Sequence, residues 1–198
     1  MKQHQIVYNY LVVFIYKIFY MFNKFSEGYE IISKREFPKT KGWISLELQL
    51  AIDLLNKEEA AKLAQKVEEY VDIVEIGTPI VINEGLPAVQ HLNENINNAK
   101  VLADLKIMDA ADYEVSQAVK YGADIVTILG VAEDASIKAA VEEAHKHGKA
   151  LLVDMIAVQN LEQRAKELDE MGADYIAVHT GYDLSLIHIS EPTRLRRI

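Results

Sequence analysis

One pattern occurs twice, 50 residues apart, in Tyr121-Gly-Ala-Asp-Ile-Val126 and in Met171-Gly-Ala-Asp-Tyr-Ile176. In each copy a glycine ends an amphipathic helix as a left-handed cap, Ala-Asp makes a turn, and an apolar strand follows. A weaker third copy is Tyr70-Val-Asp-Ile-Val74. Because the same order of helix, turn and apolar strand recurs along the chain, the sequence predicts a parallel sheet covered by helices.

Working outward from these copies, six apolar segments alternate with helical stripes. The predicted strands cover residues 48–54, 72–76, 101–107, 125–129, 151–155 and 175–179. The units are regular and contain no glycine-rich phosphate loop, which favours a closed barrel over a doubly wound sheet. We therefore expect an α/β fold of the TIM (β/α)8 barrel family, with about six of its eight βα units in this sequence.

Composition excludes several classes of protein. The 198 residues are 50% hydrophobic and contain no cysteine, which excludes a disordered chain, a disulfide scaffold, a zinc ribbon and a thiol nucleophile. The formal net charge is −9. No nucleic-acid partner is expected, because affinity for nucleic acid comes from Lys and Arg that neutralise phosphates.

The charge is distributed unevenly and divides the chain into three pieces. Residues 1–45 carry +4 and contain every Phe and the single Trp, residues 46–184 carry −15, and residues 185–198 carry +2. We expect 1–45 to be an artefactual or disordered extension, 46–184 to be the folded domain, and 185–198 to be a foreign tail. Residues 6–22 are apolar but include Asn9 and Lys17, so a membrane span is not expected. A membrane anchor is the alternative interpretation.

Polar side chains stand at the carboxyl ends of the predicted strands, where parallel barrels place their chemistry. An ionisable residue that ends an apolar strand has no packing role, because a buried charge is costly unless it is paired. The residues in question are, in chain order, Asp53, Glu75, Asp104 with Lys106, Thr127, Asp154 and His179. Their recurrence predicts an active site at this end of the barrel.

The richest of these stretches is Asp104-Leu-Lys-Ile-Met-Asp109. Strand alternation puts Asp104 and Lys106 on one face, where both side chains can point into the mouth of the barrel. Glu75 lies on the neighbouring strand, so Glu75 and Asp104 are candidates to share a divalent cation such as Mg²⁺. The alternative is a structural network of ion pairs. His179, at the end of the last strand, is the histidine placed for proton transfer.

Five segments together resemble one enzyme family. They are AIDLLNKEEA (51–60), VEIGTP (74–79), ADLKIMDA (103–110), VDMIAV (153–158) and VHTGYD (178–183). They are similar to the 3-hexulose-6-phosphate synthases, which belong to the orotidine 5′-monophosphate decarboxylase superfamily. The resemblance covers about residues 46–184. The Asp-x-Lys-x-x-Asp motif is typical of the superfamily, and the flanking segments favour the synthases.

The resemblance implies a carbon–carbon lyase, an aldehyde-lyase, in the cytoplasm. It would add formaldehyde to D-ribulose 5-phosphate through an enediolate, with Mg²⁺ as cofactor and Mn²⁺ as an alternative. By motif, Glu75 and Asp104 would ligate the metal and His179 would transfer protons. The resemblance also implies Asp53 and Lys106 as catalytic and substrate-binding residues, and Asp109 as a catalytic residue that would reach the partner's site in a homodimer. From their places at strand ends, Thr127 and Asp154 are expected to bind substrate.

The sequence departs from the family pattern after residue 184. The family continues through two more βα units, whose loops bind the substrate phosphate. We therefore expect a truncated gene product that lacks a phosphate site and is inactive or nearly so. Two alternatives remain open for the function. One is 3-keto-L-gulonate-6-phosphate decarboxylase, which shares the same acidic residues and lysine, and the other is an inactive fragment or a membrane-tethered binding module.

Overall fold

The computed structural model describes residues 47–181 and residue 183, so the extension 1–45 and the tail 185–198 lie outside the described residues. Six strands form one sheet, in which every neighbouring pair is parallel and the order follows the chain. The strands are β1 (Gln49–Ile52), β2 (Ile73–Ile76), β3 (Lys100–Ile107), β4 (Ile125–Leu129), β5 (Ala150–Asp154) and β6 (Tyr175–Ala177). The helices are α1 (Lys57–Val67), α2 (Thr78–Glu84), α3 (Pro87–Asn95), α4 (Ala111–Lys120), α5 (Asp134–Lys146) and α6 (Leu161–Glu170).

Contacts between the two ends of the sheet show that it curls. In a flat sheet β1 and β6 would lie about 24 Å apart, five strand spacings. Here the Tyr175 hydroxyl at the start of β6 donates to Glu47, just before β1, at 3.1 Å. The Lys100 ammonium from β3 lies 2.7 Å from Glu47 and 3.1 Å from the Tyr175 hydroxyl. The expected α/β architecture of the TIM-barrel type is therefore confirmed, with six parallel strands among the described residues.

The connection between β2 and β3 differs from the prediction. The sequence predicted a single helical stripe there, through Leu86, Val89 and Leu92, whereas the structure has two helices, α2 and α3. Helix α2 buries one residue, Ile80, so it produces no apolar periodicity. Its start is nevertheless encoded, because Pro79 stands in the first turn, where the missing N–H costs nothing.

Alternation along the strands creates two apolar layers. Outward-facing residues such as Val74, Val126 and Leu151 pack against the helices. Inward-facing residues form a separate buried cluster, the inner apolar row, which consists of Ile73, Leu102, Ile125 and Leu152. Two positions further along the same strands, and so on the same face, lie Glu75, Asp104, Thr127 and Asp154, which are all buried. We call these four the polar row.

The aspartate shared by the three copies of the repeat has a specific structural role. In each copy the aspartate carboxylate accepts a hydrogen bond from the backbone N–H of a residue on the preceding strand or just before it. The bonds run from Leu48 to Asp72 (2.9 Å), from Val101 to Asp124 (2.9 Å) and from Leu151 to Asp174 (2.8 Å). The predicted left-handed caps are also present, with φ of 91° at Gly122 and 93° at Gly172. The repeat thus joins the strands in three pairs.

No helix among the described residues is long and apolar enough to span a membrane.

The aspartate of the repeat gives a first prediction. Asp124→Ala removes the acceptor for the Val101 N–H and should lower the free energy of unfolding by about 1–2 kcal/mol. Asp124→Asn keeps an acceptor oxygen and loses only the half-buried ion pair with Lys149, so it should retain most of the stability. Urea unfolding of the three proteins checks this. Equal losses in the two variants would show that the charge, and not the hydrogen bond, stabilises the turn.

Candidate active site

The polar row is organised around one ammonium group. Lys106 Nζ lies 2.8 Å from Asp104 Oδ2 and 3.0 Å from Asp154 Oδ2. His179 Nδ1 lies 2.9 Å from the same Asp154 oxygen. Four of the predicted site residues therefore form one chain of contacts, which runs from β3 through β5 to the segment that follows β6.

Two threonines hold the Asp104 carboxylate. The Thr127 hydroxyl donates to Oδ1 at 2.9 Å, and the Thr78 hydroxyl donates to Oδ2 at 2.7 Å. Thr78 is the first residue of α2 and was not identified by the sequence analysis. Its position directly after Gly77, at the end of β2, was the available signal. With both oxygens held, Asp104 has a defined orientation on the inner face of the sheet.

The backbone at Lys106 is unusual. Its φ is 49°, in the left-handed region, and the pairing of β3 with β4 changes register between Ala103 and Ile107. Simple alternation predicted that Asp104 and Lys106 share a face, and their ion pair confirms the proximity. The two side chains are close, however, because β3 is irregular at this point. A left-handed lysine costs about 1–3 kcal/mol and persists where its surroundings hold it.

Thr127 supplies part of that support. Its hydroxyl accepts from the Lys106 backbone N–H at 2.9 Å while it donates to Asp104. The residue is buried, with 3% of its surface exposed. One hydroxyl thus holds both members of the Asp104–Lys106 pair. The predicted contact of Thr127 with substrate stays a prediction, since its hydroxyl proton is used within the protein.

The contacts of Lys106 and Asp154 keep both side chains charged. Burial lowers the pKa of Lys106, but Asp104 and Asp154 outweigh it and raise the pKa above the ordinary value. Burial raises the pKa of Asp154, yet the bonds from His179 and the Ile156 N–H, together with the Lys106 charge, bring it below the ordinary value. Lys106 is therefore a cation and Asp154 an anion near neutral pH.

Glu75 has a different environment. Burial, followed by the negative charge of Asp104, raises its pKa to about 8. The side-chain amide of Gln49 donates to Glu75 Oε2 and partly opposes this effect. The Asp53 charge adds to the rise. Glu75 is thus a buried acid beside a second carboxylate, with its nearby charges mostly negative.

This donor set fits a divalent cation. Glu75 and Asp104 are neighbouring buried oxygen ligands, and a cation would relieve the repulsion between them. The described residues contain no cluster of three or more His, Cys, Asp and Glu side chains that could hold a metal. The protein would therefore supply two carboxylates, and water and substrate oxygens would complete the coordination, as is usual for Mg²⁺.

Asp53 lies at the margin of this cluster. It follows β1 and is exposed, and its carboxylate lies against Gly77, where an added Cβ would come within 2.1 Å of Asp53 Oδ1. Because Gly77 has no side chain, the Asp53 carboxylate can occupy the space beside it.

Asp109 is not brought into the cluster. It is exposed in the segment between β3 and α4, where its charge adds to the effect of burial in raising the pKa of Glu114. Its predicted role in a partner's site stays a prediction.

The double role of Thr127 gives a second prediction. Thr127→Val keeps the shape but leaves the Lys106 N–H without its acceptor, so the free energy of unfolding should fall by about 1–3 kcal/mol. Thr127→Ser keeps the hydroxyl and should recover most of that loss. Urea unfolding measures the stability, and amide hydrogen exchange at Lys106 reports the bond directly. A serine variant as unstable as the valine variant would assign the effect to the methyl group.

Comparison with known proteins places this architecture in a family. Residues 46–188 match the model of the orotidine 5′-phosphate decarboxylase / HUMPS family. The chain is 99% identical over 139 residues to a 3-hexulose-6-phosphate synthase of Staphylococcus epidermidis, which is 70% of this chain and 66% of the relative. The chain therefore spans about two thirds of the length of this curated relative.

Solved structures agree with the sequence matches. The crystal structure of 3-hexulose-6-phosphate synthase from Salmonella typhimurium is 43% identical, with a TM-score of 0.69, and the match covers 72% of this chain and 68% of that one. The crystal structure of 3-keto-L-gulonate-6-phosphate decarboxylase from Vibrio cholerae is 28% identical, with a TM-score of 0.66 and coverage of 74% and 68%. The fold and the family model agree, and the chain belongs to the orotidine 5′-phosphate decarboxylase / HUMPS family.

Proposed function

We propose that this chain carries the cation-binding and proton-transfer residues of a 3-hexulose-6-phosphate synthase. Such an enzyme is an aldehyde-lyase that joins formaldehyde to D-ribulose 5-phosphate. The observation that supports this most directly is the contact chain Asp104–Lys106–Asp154–His179 beside Glu75. It lies within a chain that is 99% identical over 139 residues to a protein of that name. The higher identity to synthases than to the decarboxylase favours the synthase.

In the proposed reaction a proton leaves C1 of ribulose 5-phosphate, and the resulting enediolate attacks the carbonyl carbon of formaldehyde. The new alkoxide then takes up a proton, which gives 3-hexulose 6-phosphate. Negative charge develops on the sugar oxygens in the first step. The Lys106 ammonium, held between two carboxylates, is placed to stabilise that charge.

His179 is the proposed proton-transfer group. Its Nδ1 is bonded to Asp154, which orients the ring. With the proton on Nδ1, Nε2 is the basic atom that exchanges protons with the substrate. Asp154 therefore acts through two neighbours, since it positions both Lys106 and His179.

Glu75 and Asp104 are the proposed ligands of Mg²⁺, with Mn²⁺ as an alternative. When bound, the cation would act as a Lewis acid on the sugar oxygens. Asp53, at the rim, is proposed to bind a sugar hydroxyl. We further propose a cytoplasmic homodimer in which Asp109 reaches the partner's site, as the family resemblance implies.

The experiment is an assay of formaldehyde consumption with Mg²⁺ and ribulose 5-phosphate. Residues 46–184 are tested in the frame of the Staphylococcus epidermidis relative, which supplies the length that this chain does not span. Lys106→Ala should lower kcat by about 10²- to 10³-fold, because it removes a charge aimed at the transition state. Lys120→Ala, an exposed lysine at the end of α4, is the control and should be fully active.

Two results would overturn the proposal. One is normal turnover by the Lys106→Ala protein. The other is release of CO₂ from 3-keto-L-gulonate 6-phosphate at a rate above that of formaldehyde addition, which would assign the decarboxylase activity instead.

The buried Glu75 gives a prediction about pH. Its carboxyl has a pKa of about 8 in the folded protein and an ordinary value in the unfolded chain. The folded state therefore loses stability as pH rises from about 4.5 to about 8. Without divalent cations, Glu75→Gln should match the parent near pH 5 and exceed its free energy of unfolding by about 2–4 kcal/mol near pH 9.

Urea unfolding with a chelator present measures this difference, and Glu170→Gln, an exposed residue at the end of α6, is the control. With saturating Mg²⁺ near pH 9 the parent should be more stable than Glu75→Gln, because the cation binds the ionised carboxylate that only the parent has. If the difference in free energy of unfolding between the two proteins stays constant with pH, Glu75 does not have a raised pKa in the folded state.

A further inference from the structure

Gln49, the first residue of β1, is a buried amide with 7% of its surface exposed. Its Nε2 donates to Glu75 Oε2. Its Oε1 is the buried side-chain atom without a hydrogen-bond partner among the residues that the structure describes. The amide thus makes one hydrogen bond, to Glu75, and leaves its oxygen unused.

The surroundings of Gln49 give no packing reason for an amide. In the register of the sheet Gln49 pairs with Ile73, a member of the inner apolar row, while Ala51 pairs with Glu75. An apolar side chain at this level would pack beside that row and leave no unpaired oxygen. Buried polar groups in native proteins are almost always paired, so an exception requires an explanation.

The donors and acceptors of Glu75 determine the orientation of the Gln49 amide. In the ionised form that a cation would bind, Glu75 offers only acceptors, and the NH₂ group of Gln49 is the donor that matches it. The unused Oε1 shares a carbon with Nε2, so it lies within a few ångströms of the Glu75 carboxylate. Mg²⁺ and Mn²⁺ sites with two protein ligands retain waters, and those waters are donors.

We infer that Gln49 is a positioning residue of the cation site: its amide holds Glu75 through Oε2, so that Oε1 of Glu75 meets the ion, and its own oxygen accepts from a water of that ion. This inference rests on the metal role proposed for Glu75 and Asp104. It adds to that proposal a residue at the opposite end of a strand from the other site residues. Partners of this kind orient ligands, and their loss typically weakens metal affinity about 10- to 100-fold.

Other side chains at position 49 would fail for separate reasons. Methionine has a similar length and shape but cannot donate to Glu75. Asparagine keeps the amide but is one methylene shorter, so it cannot span the same distance. Glutamate would add a negative charge beside Glu75, where the Asp104 and Asp53 charges already act.

The test measures the binding of Mn²⁺ alone to the full chain. The electron paramagnetic resonance signal of free Mn²⁺ reports how much of the ion remains unbound. Four variants are compared with the parent: Gln49→Met, Gln49→Asn, Glu75→Gln and Gln90→Met. The last makes the same substitution at an exposed glutamine of α3. Thermal unfolding with a chelator present shows that each variant is folded.

The expected result is a parent that binds one Mn²⁺, a Glu75→Gln variant that does not, and a Gln90→Met variant equal to the parent. Both Gln49 variants should bind about 10- to 100-fold more weakly. If Gln49→Met does not fold, the Mn²⁺ affinity of Gln49→Asn tests the inference. Gln49 variants with the affinity of the parent, while Glu75→Gln fails to bind, would overturn the inference and leave the metal site intact. A parent that does not bind Mn²⁺ would overturn the metal role of Glu75 and, with it, the inference.

Discussion

The site depends on the position of a single ammonium, that of Lys106, between the carboxylates of Asp104 and Asp154. These two aspartates come from β3 and β5, and Thr127 on the intervening strand β4 bonds to Asp104 and to the Lys106 backbone. A buried carboxylate without a cation would be strongly destabilising. The ion pairs therefore offset the cost of the left-handed backbone at Lys106, and three strands are joined around one charge.

Negative charge exceeds positive charge in this part of the structure. Three buried acidic side chains, those of Glu75, Asp104 and Asp154, share one lysine, and Asp53 lies at their margin. The pKa of Glu75 rises because this residue is buried beside Asp104. An arrangement of this kind is less stable than an apolar core of the same volume would be. Under the cation role proposed for Glu75 and Asp104, part of that cost would be recovered when the ion binds.

Residues at strand ends were predictable because an ionisable side chain after an apolar strand has no place in a core, and this identified Asp104, Asp154 and His179. The repeat predicted the parallel order because Asp124 and Asp174 bond to preceding strands. Other features left no pattern in the sequence. Thr78 acts through a helix that buries one residue, Gln49 stands at the start of a strand, and the φ of Lys106 depends on tertiary contacts that lysine itself does not favour.

The inner apolar row and the polar row occupy the same strands, two residues apart. Mutations in the polar row therefore change the reactive groups while the packing beneath them keeps its volume and shape. Selection for a new reaction can therefore act on one set of positions while the other set keeps the apolar packing. A fold divided in this way is suited to diversification, and relatives with different names, such as the synthase and the decarboxylase structures that resemble this chain, share its framework.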